Sequence, residues 1–462
     1  MVLASRTATD AMRSPSTAAP HIRYDWFDQA FISHALRLSP GATGGGGNGR
    51  TVAAFFPPMK NRFAILFAAA LLAGCVSTPH STEPAAVHVT FNRDGIVGEQ
   101  AWGIANRATG RAVTAGDPVR IASISKLVVA IGVMRLVETG TLDLDADISG
   151  PLGIRVRNPA FPDVPITLRL LLSHRSSMWD RDGYLLPLGT TLAEKLADEA
   201  VWDREHAPGS YFRYTNLNFP VIATVMERAT GERFDLLMSR LVFAPLKIDA
   251  CFNWATCSDD QAARAVVLYG ADGKVRHDDL QGRRPACPVF VTEASKACDL
   301  SVAQPGDNGG LFSPQGGLRI SMRDLARIGR LLAGGGKVDG VRLLAPASID
   351  ALVGPEWQFD GSNGDTGEVG EFGQGFFCRY GLATQTLAAQ RPNCRDDMFG
   401  DGVQRFGHSG SAYGLRSGLF IDRATGTGSA FFATAVPEDA VGRTSSFTAH
   451  QEALARGRRP RR

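Results

Sequence analysis

Ser123 and Lys126 stand one helical turn apart in IASISKLVVAIGVMRLVETGTLDLDADI, residues 121–148. A serine hydroxyl is a poor nucleophile until a base takes its proton, and an amine one turn along the same helical face reaches it. Downstream, Tyr214-Thr215-Asn216 lies in PGSYFRYTN and His408-Ser409-Gly410 in RFGHSGSAYGLRSGLFID. A phenol, an amide, an imidazole and a second serine are the groups an acyl transfer needs to move protons and hold a developing oxyanion. Each has a plainer reading alone: Ser123 as a helix N-cap, Tyr214 as a half-buried aromatic, Asn216 as a cap, His408 as a structural histidine. About one or two S-x-x-K matches are expected by chance in a chain this long. Their order along the chain gives them meaning.

The elements that must position these groups follow from periodicity. Val128, Val129, Ile131, Val133, Met134 and Leu136 recur every three to four residues, which predicts a mostly buried helix closed at Gly140. Ser123 then falls at its N-terminus, where unpaired backbone N–H groups favour negative charge on a nearby oxygen. Further helices are expected at 192–201, 219–230, 234–243 and 322–333, with a terminal one from about 445. Strands are expected at 88–91 and 100–105, joined by a turn around Arg93-Asp94-Gly95, and again at 414–422 and 429–436.

The chain has 462 residues, 44% hydrophobic and 21% charged, with a formal net charge of +3. That composition builds an ordinary core and gives no basis for nucleic-acid binding. The basic residues 456–462 read as a solvated, disordered tail. Residues 1–58 carry no sustained period and read as an upstream extension without a fold. Gly44 to Thr51 resembles a phosphate-cradling loop but has Arg50 in place of its lysine and no preceding apolar strand, so we reject it. From Met59, MKNRFAILFAAALLAGC has a basic start and about twelve apolar residues, too few to span a bilayer and the size of a signal-peptide core. Leu72-Ala73-Gly74-Cys75 resembles the bacterial lipobox, which implies cleavage before Cys75, lipidation of its thiol and translation from Met59. A valine rather than an acidic residue at 76 tilts the expected destination to the outer membrane. Residues 76–86 would form a tether. The other six cysteines fall into local pairs, Cys251 with Cys257, Cys287 with Cys298, and Cys378 with Cys394; six allow fifteen connectivities, and local disulfides in an exported chain are the expectation. No G-x-S-x-G, H-E-x-x-H or C-x-x-C spacing occurs, so neither that hydrolase elbow nor a metal site is expected.

In this order, S-x-x-K, Y-x-N and H-S-G resemble the serine β-lactamase and penicillin-binding-protein superfamily, most closely its class C-like branch of DD-peptidases, esterases and β-lactamases. TLRLLLSHRSSM (167–178), LVFAPLKI (241–248) and GGLRISMRDLARIGRLL (316–332) support the likeness, which covers about 86–455. It implies an α/β (α+β) fold: an antiparallel sheet flanked by helices, built from both ends of a domain placed at 87–455, plus a helical region from the middle. By the same resemblance Ser123 forms an acyl-enzyme and Lys126 and Tyr214 share the base role. Asn216 orients Lys126 and the substrate amide. The N–H groups of Ser123 and Ser411 hold the oxyanion, and Gly410, after Ser409, leaves room for substrate along the strand. His408 would face a substrate carboxylate, mostly neutral at pH 7 and charged in mild acid. His174 reads as structural and Tyr211 as a packing residue. The expected protein is an exported, lipid-anchored serine hydrolase acting on a small-molecule, peptide or ester substrate without cofactor. A DD-peptidase or D-amino-acid peptidase comes first, an esterase second, and a β-lactamase third because the triplet opens with histidine; a silent penicillin-binding-like sensor is the non-enzymatic reading.

Overall fold

The computed structural model describes residues 83–292, 298–367 and 373–461. The expectations for residues 1–58, the signal segment, Cys75 and most of the tether lie outside these residues. Eight antiparallel strands form the main sheet. They are β1 (Ala86–Phe91), β2 (Ile96–Trp102), β3 (Trp357–Gln358), β4 (Arg379–Tyr380), β5 (Gln385–Leu387), β6 (Arg405–Ala412), β7 (Leu415–Asp422) and β8 (Thr427–Ala433), in the order β3-β4-β5-β6-β7-β8-β1-β2. The first strand therefore pairs with the last, Ala86 opposite Ala433, as expected for a sheet built from both ends.

Alternation along the strands feeds two cores. Leu419, Ile421, Ala430 and Phe432 join one apolar cluster, and their neighbours Phe420, Phe431 and Ala433 join another. Helices α1 (Ile124–Glu138) and α3 (Met322–Ala333) pack on the first face and α4 (Ala449–Ala455) on the second. Twelve of the fifteen residues of α1 are buried, so this helix is wrapped on all sides rather than amphipathic. The middle of the chain supplies α2 (Asn218–Thr230) and several helices of five residues or fewer. Three disulfides join Cys251 to Cys257, Cys287 to Cys298, and Cys378 to Cys394.

Several boundaries move. The expected strand 100–105 is cut at Gly103, whose φ of +81° turns the chain; a Cβ there would lie 2.0 Å from the Pro84 carbonyl oxygen. The expected helix 192–201 stops at Leu196, and a separate 3₁₀ turn, Glu199–Val201, starts where the Asp198 carboxylate accepts the Ala200 N–H. The expected helix 234–243 widens to a π turn over Ser239–Phe243. Ala85 and Ala86, placed in the tether, are buried, and Ala86 opens the first strand. The basic tail is not loose along its described length: Arg456 donates to the Phe399 carbonyl and Arg459 pairs with Glu83. Among the described residues, no helix is long and apolar enough to cross a membrane.

Candidate active site

The turn that presents Ser123 is built by its neighbours. A short strand, Val119–Arg120, pairs with Leu318–Ile320, and the Ile121 N–H continues the ladder to the Leu318 carbonyl at 3.1 Å. Ala122 then adopts a left-handed φ of +50°, a conformation that costs a residue with a Cβ about 1 kcal/mol or more. Its carbonyl is clamped by the Ser125 N–H at 2.9 Å and the Ser125 hydroxyl at 2.6 Å, and that hydroxyl accepts the Leu318 N–H at 3.1 Å. Ser125 is thus a buried brace, whereas Ser123, at the start of α1, is partly exposed.

Lys126 is fully buried. Its Nζ donates to Ser123 Oγ at 3.0 Å, Asn216 Oδ1 at 2.8 Å and the Gln315 carbonyl at 2.8 Å. These three acceptors hold the amine within hydrogen-bond reach of the Ser123 hydroxyl. The Tyr214 ring centroid lies 4.9 Å from Nζ and that of Phe219 5.4 Å away.

Tyr214 and Asn216 arrive on the loop that enters α2. The Tyr214 ring stacks on Phe377 with centroids 4.8 Å apart and lies 4.4 Å from the His174 ring. Asn216 is not a side-chain cap. Its amide bridges Lys126 and Asp180: Asp180 Oδ2 accepts the Asn216 N–H at 2.7 Å and its Nδ2 at 3.1 Å, and Oδ1 accepts the Leu217 N–H at 3.0 Å. Burial pushes the Asp180 carboxyl up from the ordinary carboxylate value, while those donors and the Lys126 charge pull it down. His174 is buried, and its Nδ1 accepts the Thr215 N–H at 3.0 Å; burial and the nearby Lys126 hold it well below its usual value, so it is neutral. Tyr211 does more than pack: its hydroxyl donates to Asp365 at 2.7 Å. Sequence reasoning missed Asp180, the Gln315 carbonyl and Tyr380. Only Asp180 had a nearby signal, an acidic residue two positions beyond the LLSHRSSM phrase.

The H-S-G triplet lies on β6, but two of its expected uses change. His408 is 1% exposed, with Nδ1 2.5 Å from the Ser409 carbonyl and Nε2 2.8 Å from the Tyr380 hydroxyl. A carbonyl only accepts, so Nδ1 carries the proton and Tyr380 donates to Nε2. Burial and the charge of Lys126 push its pKa down to about 3. Both ring nitrogens are engaged by the protein, so His408 does not face a substrate carboxylate and does not charge in mild acid. Gly410 serves the chain rather than the substrate: a Cβ there would lie 2.3 Å from both the Ile121 carbonyl and Ser417 Oγ. That close approach seats β6 against the turn before Ser123. The Ser409 hydroxyl donates to Gln385 at 3.2 Å, and Ser411 is partly exposed. Pairing with β5 ends at Gly407, so among the described residues no strand covers that edge of β6 beyond it.

Two solved structures share the fold. A penicillin-binding protein homologue from Pyrococcus abyssi, described as octameric, aligns with a TM-score of 0.56 at 19% identity, over 82% of this chain and 74% of that one. A class C β-lactamase aligns at 0.55 and 13% identity, over 81% and 89%. Among curated proteins, Esterase EstB of Burkholderia gladioli is 32% identical over 181 residues, 36% of this chain and 46% of its own. Penicillin-binding protein 4 of Amycolatopsis lactamdurans is 27% identical over 276 residues, 59% and 65%. The D-alanyl-D-alanine-carboxypeptidase/endopeptidase AmpH of Escherichia coli K12 is 30% identical over 160 residues, 32% and 40%. The matches thus span between 40% and 65% of these relatives' lengths. The Beta-lactamase family profile matches residues 78–451, most of the chain, and with the sheet and the S-x-x-K helix in place the protein belongs to the Beta-lactamase family.

Proposed function

We propose that the protein is a serine acyl hydrolase that forms an acyl-enzyme on Ser123, with peptide amides ending in D-residues as the first substrate class. The observation that carries this reading is the 3.0 Å hydrogen bond between Lys126 Nζ and Ser123 Oγ inside a buried cage. Ser123 Oγ attacks the carbonyl carbon as its proton passes to the Lys126–Tyr214 pair, whose protonation states are coupled. The tetrahedral oxygen is held by the N–H groups of Ser123 and Ser411, each worth about 3 to 4 kcal/mol in such sites. The leaving group takes the proton back, and water repeats the cycle on the acyl-enzyme.

An esterase is the second reading, favoured by the neutral, enclosed His408: no imidazolium meets a substrate carboxylate there. A β-lactamase stays third for the same reason. The disulfides support an oxidising compartment and hence export to the cell envelope; attachment through Cys75 is tested by fatty-acid labelling of wild type against Cys75→Ala. The function itself is tested by mass spectrometry after treatment with a fluorophosphonate or penicillin. The expected adduct lies on Ser123 and is lost in Ser123→Ala. Labelling that persists in that variant, or that maps to Ser125, overturns the proposal.

A further inference from the structure

Arg120, three residues before Ser123, is 8% exposed, and its Nε is buried without a partner. Among the described residues its guanidinium makes no hydrogen bond and no ion pair; its one contact of note is the Tyr413 ring, 5.0 Å from Cζ to centroid. Its strand partner Arg319 differs sharply. Arg319 is also buried, but it donates to Asp278 through Nη2 at 2.9 Å and through Nε at 3.3 Å. Asp278 further accepts from Trp254 Nε1 and lies 2.8 Å from His277 Nδ1. The nearby carboxylate is therefore already committed to Arg319, Trp254 and His277.

An arginine buried to this degree with no protein acceptor is costly, and such a group calls for something that completes it, a ligand, an ion or water. The place of this one narrows the ligand. Arg120 leads into the turn that presents Ser123, and Tyr413 follows Ser411 by two residues, in the turn that ends the strand seated against that segment. The head of Arg120 thus lies between the segments carrying the nucleophile and the second oxyanion N–H.

We propose that Arg120 and Tyr413 form a carboxylate-binding subsite and that the protein's substrates are anionic, which rests on the reading of Ser123 as the acyl-forming nucleophile. The planar fork matches a carboxylate through two parallel N–H···O bonds, and the Tyr413 ring holds the guanidinium flat for that contact. The task expected of His408 thereby falls to a permanent charge.

The test uses the full chain and two matched pairs. In one, the carboxylate is on the acyl group: the p-nitrophenyl monoester of glutaric acid against p-nitrophenyl butyrate. In the other it is on the leaving group: N-acetyl-D-Ala-D-Ala against its C-terminal amide. Wild type is expected to favour the anionic member of at least one pair by tenfold or more in kcat/KM, and the responding pair identifies which side of the substrate Arg120 reads. Arg120→Gln should lower that anionic-to-neutral ratio by tenfold or more, mainly through KM, and Arg120→Lys should restore part of it. If Arg120→Gln fails to fold, Tyr413→Leu and Arg120→Lys report the same ratio. No anionic preference in either pair, or a ratio within twofold of wild type in Arg120→Gln or Tyr413→Leu, overturns the subsite. Failure of the Ser123 reading looks different: wild type would then neither hydrolyse the neutral ester nor take a fluorophosphonate on Ser123.

Discussion

Asp180 grips Asn216 twice, at its backbone N–H and at its side-chain Nδ2, both through Oδ2. A carboxylate only accepts, so the Asn216 amide has one orientation, Nδ2 toward Asp180 and Oδ1 toward Lys126. Asp180→Asn places an amide against N–H donors and removes that lock. Hydrogen bonds to charged groups are worth about 1.5 to 3 kcal/mol, so kcat should fall about 10- to 100-fold with far-UV circular dichroism retained. An unchanged kcat would mean that Lys126 is positioned without Asp180.

On the proposed mechanism, Lys126 and Tyr214 act on one proton. Lys126→Ala and Tyr214→Phe should each lower kcat by about 10²- to 10⁴-fold, and the double variant should be little worse than either. Steady-state rates on one ester substrate suffice, and fully additive losses would separate the two roles.

His408 is a liability in acid rather than a sensor. Its pKa of about 3 in the folded chain lies below the unfolded value of 6.5, so the unfolded state binds a proton the native state refuses. Its contribution is fully present above pH 6.5 and is lost as pH falls toward 3, by up to about 1.4 kcal/mol per pH unit. His408→Gln should flatten the loss of stability between pH 7 and 5, read by urea unfolding. His88, lowered to about 4 mainly by burial, keeps its own share of the slope. For the same reason the preference for a free carboxylate over its amide should not change between pH 7.5 and 6, and a rise toward acid would return His408 to the substrate.

Gly410→Ala puts a methyl where the Ile121 carbonyl and the Ser417 hydroxyl already sit. Separating β6 from the nucleophile turn should cost about 1 to 3 kcal/mol of stability and slow labelling of Ser123 by a fluorophosphonate. Thermal unfolding and the labelling rate check this together. A variant that labels at the wild-type rate would show that the close approach is not needed.

Ser123, Lys126, Tyr214 and Asn216 were legible because each belongs to a short spacing that carries its own chemistry, and the Ser123 helix because its apolar period is long. His408 was read as the right residue in the wrong environment: burial is set by Tyr380, Ser409 and the covering elements, none of which the triplet itself encodes. Asp180 and the Gln315 carbonyl reach the site from distant loops, and a backbone acceptor leaves no trace in residue type. Strands β3, β4 and β5, two or three residues each, are too short for alternation to appear. The breaks at Gly103 and Asp198 were visible as residues, but their force comes from Pro84 packed against one and a competing side-chain hydrogen bond at the other.

The pairing of β1 with β8 has a consequence for biogenesis. Ala86 finds its partner only when Ala433 has been made, and the strand beside Ser123 is itself among the last segments synthesised. Loop closure over such separations is slow, and until it happens β8 presents an unpaired edge of largely apolar sequence. Folding of the half that holds Ser123 must therefore wait for nearly the whole polypeptide.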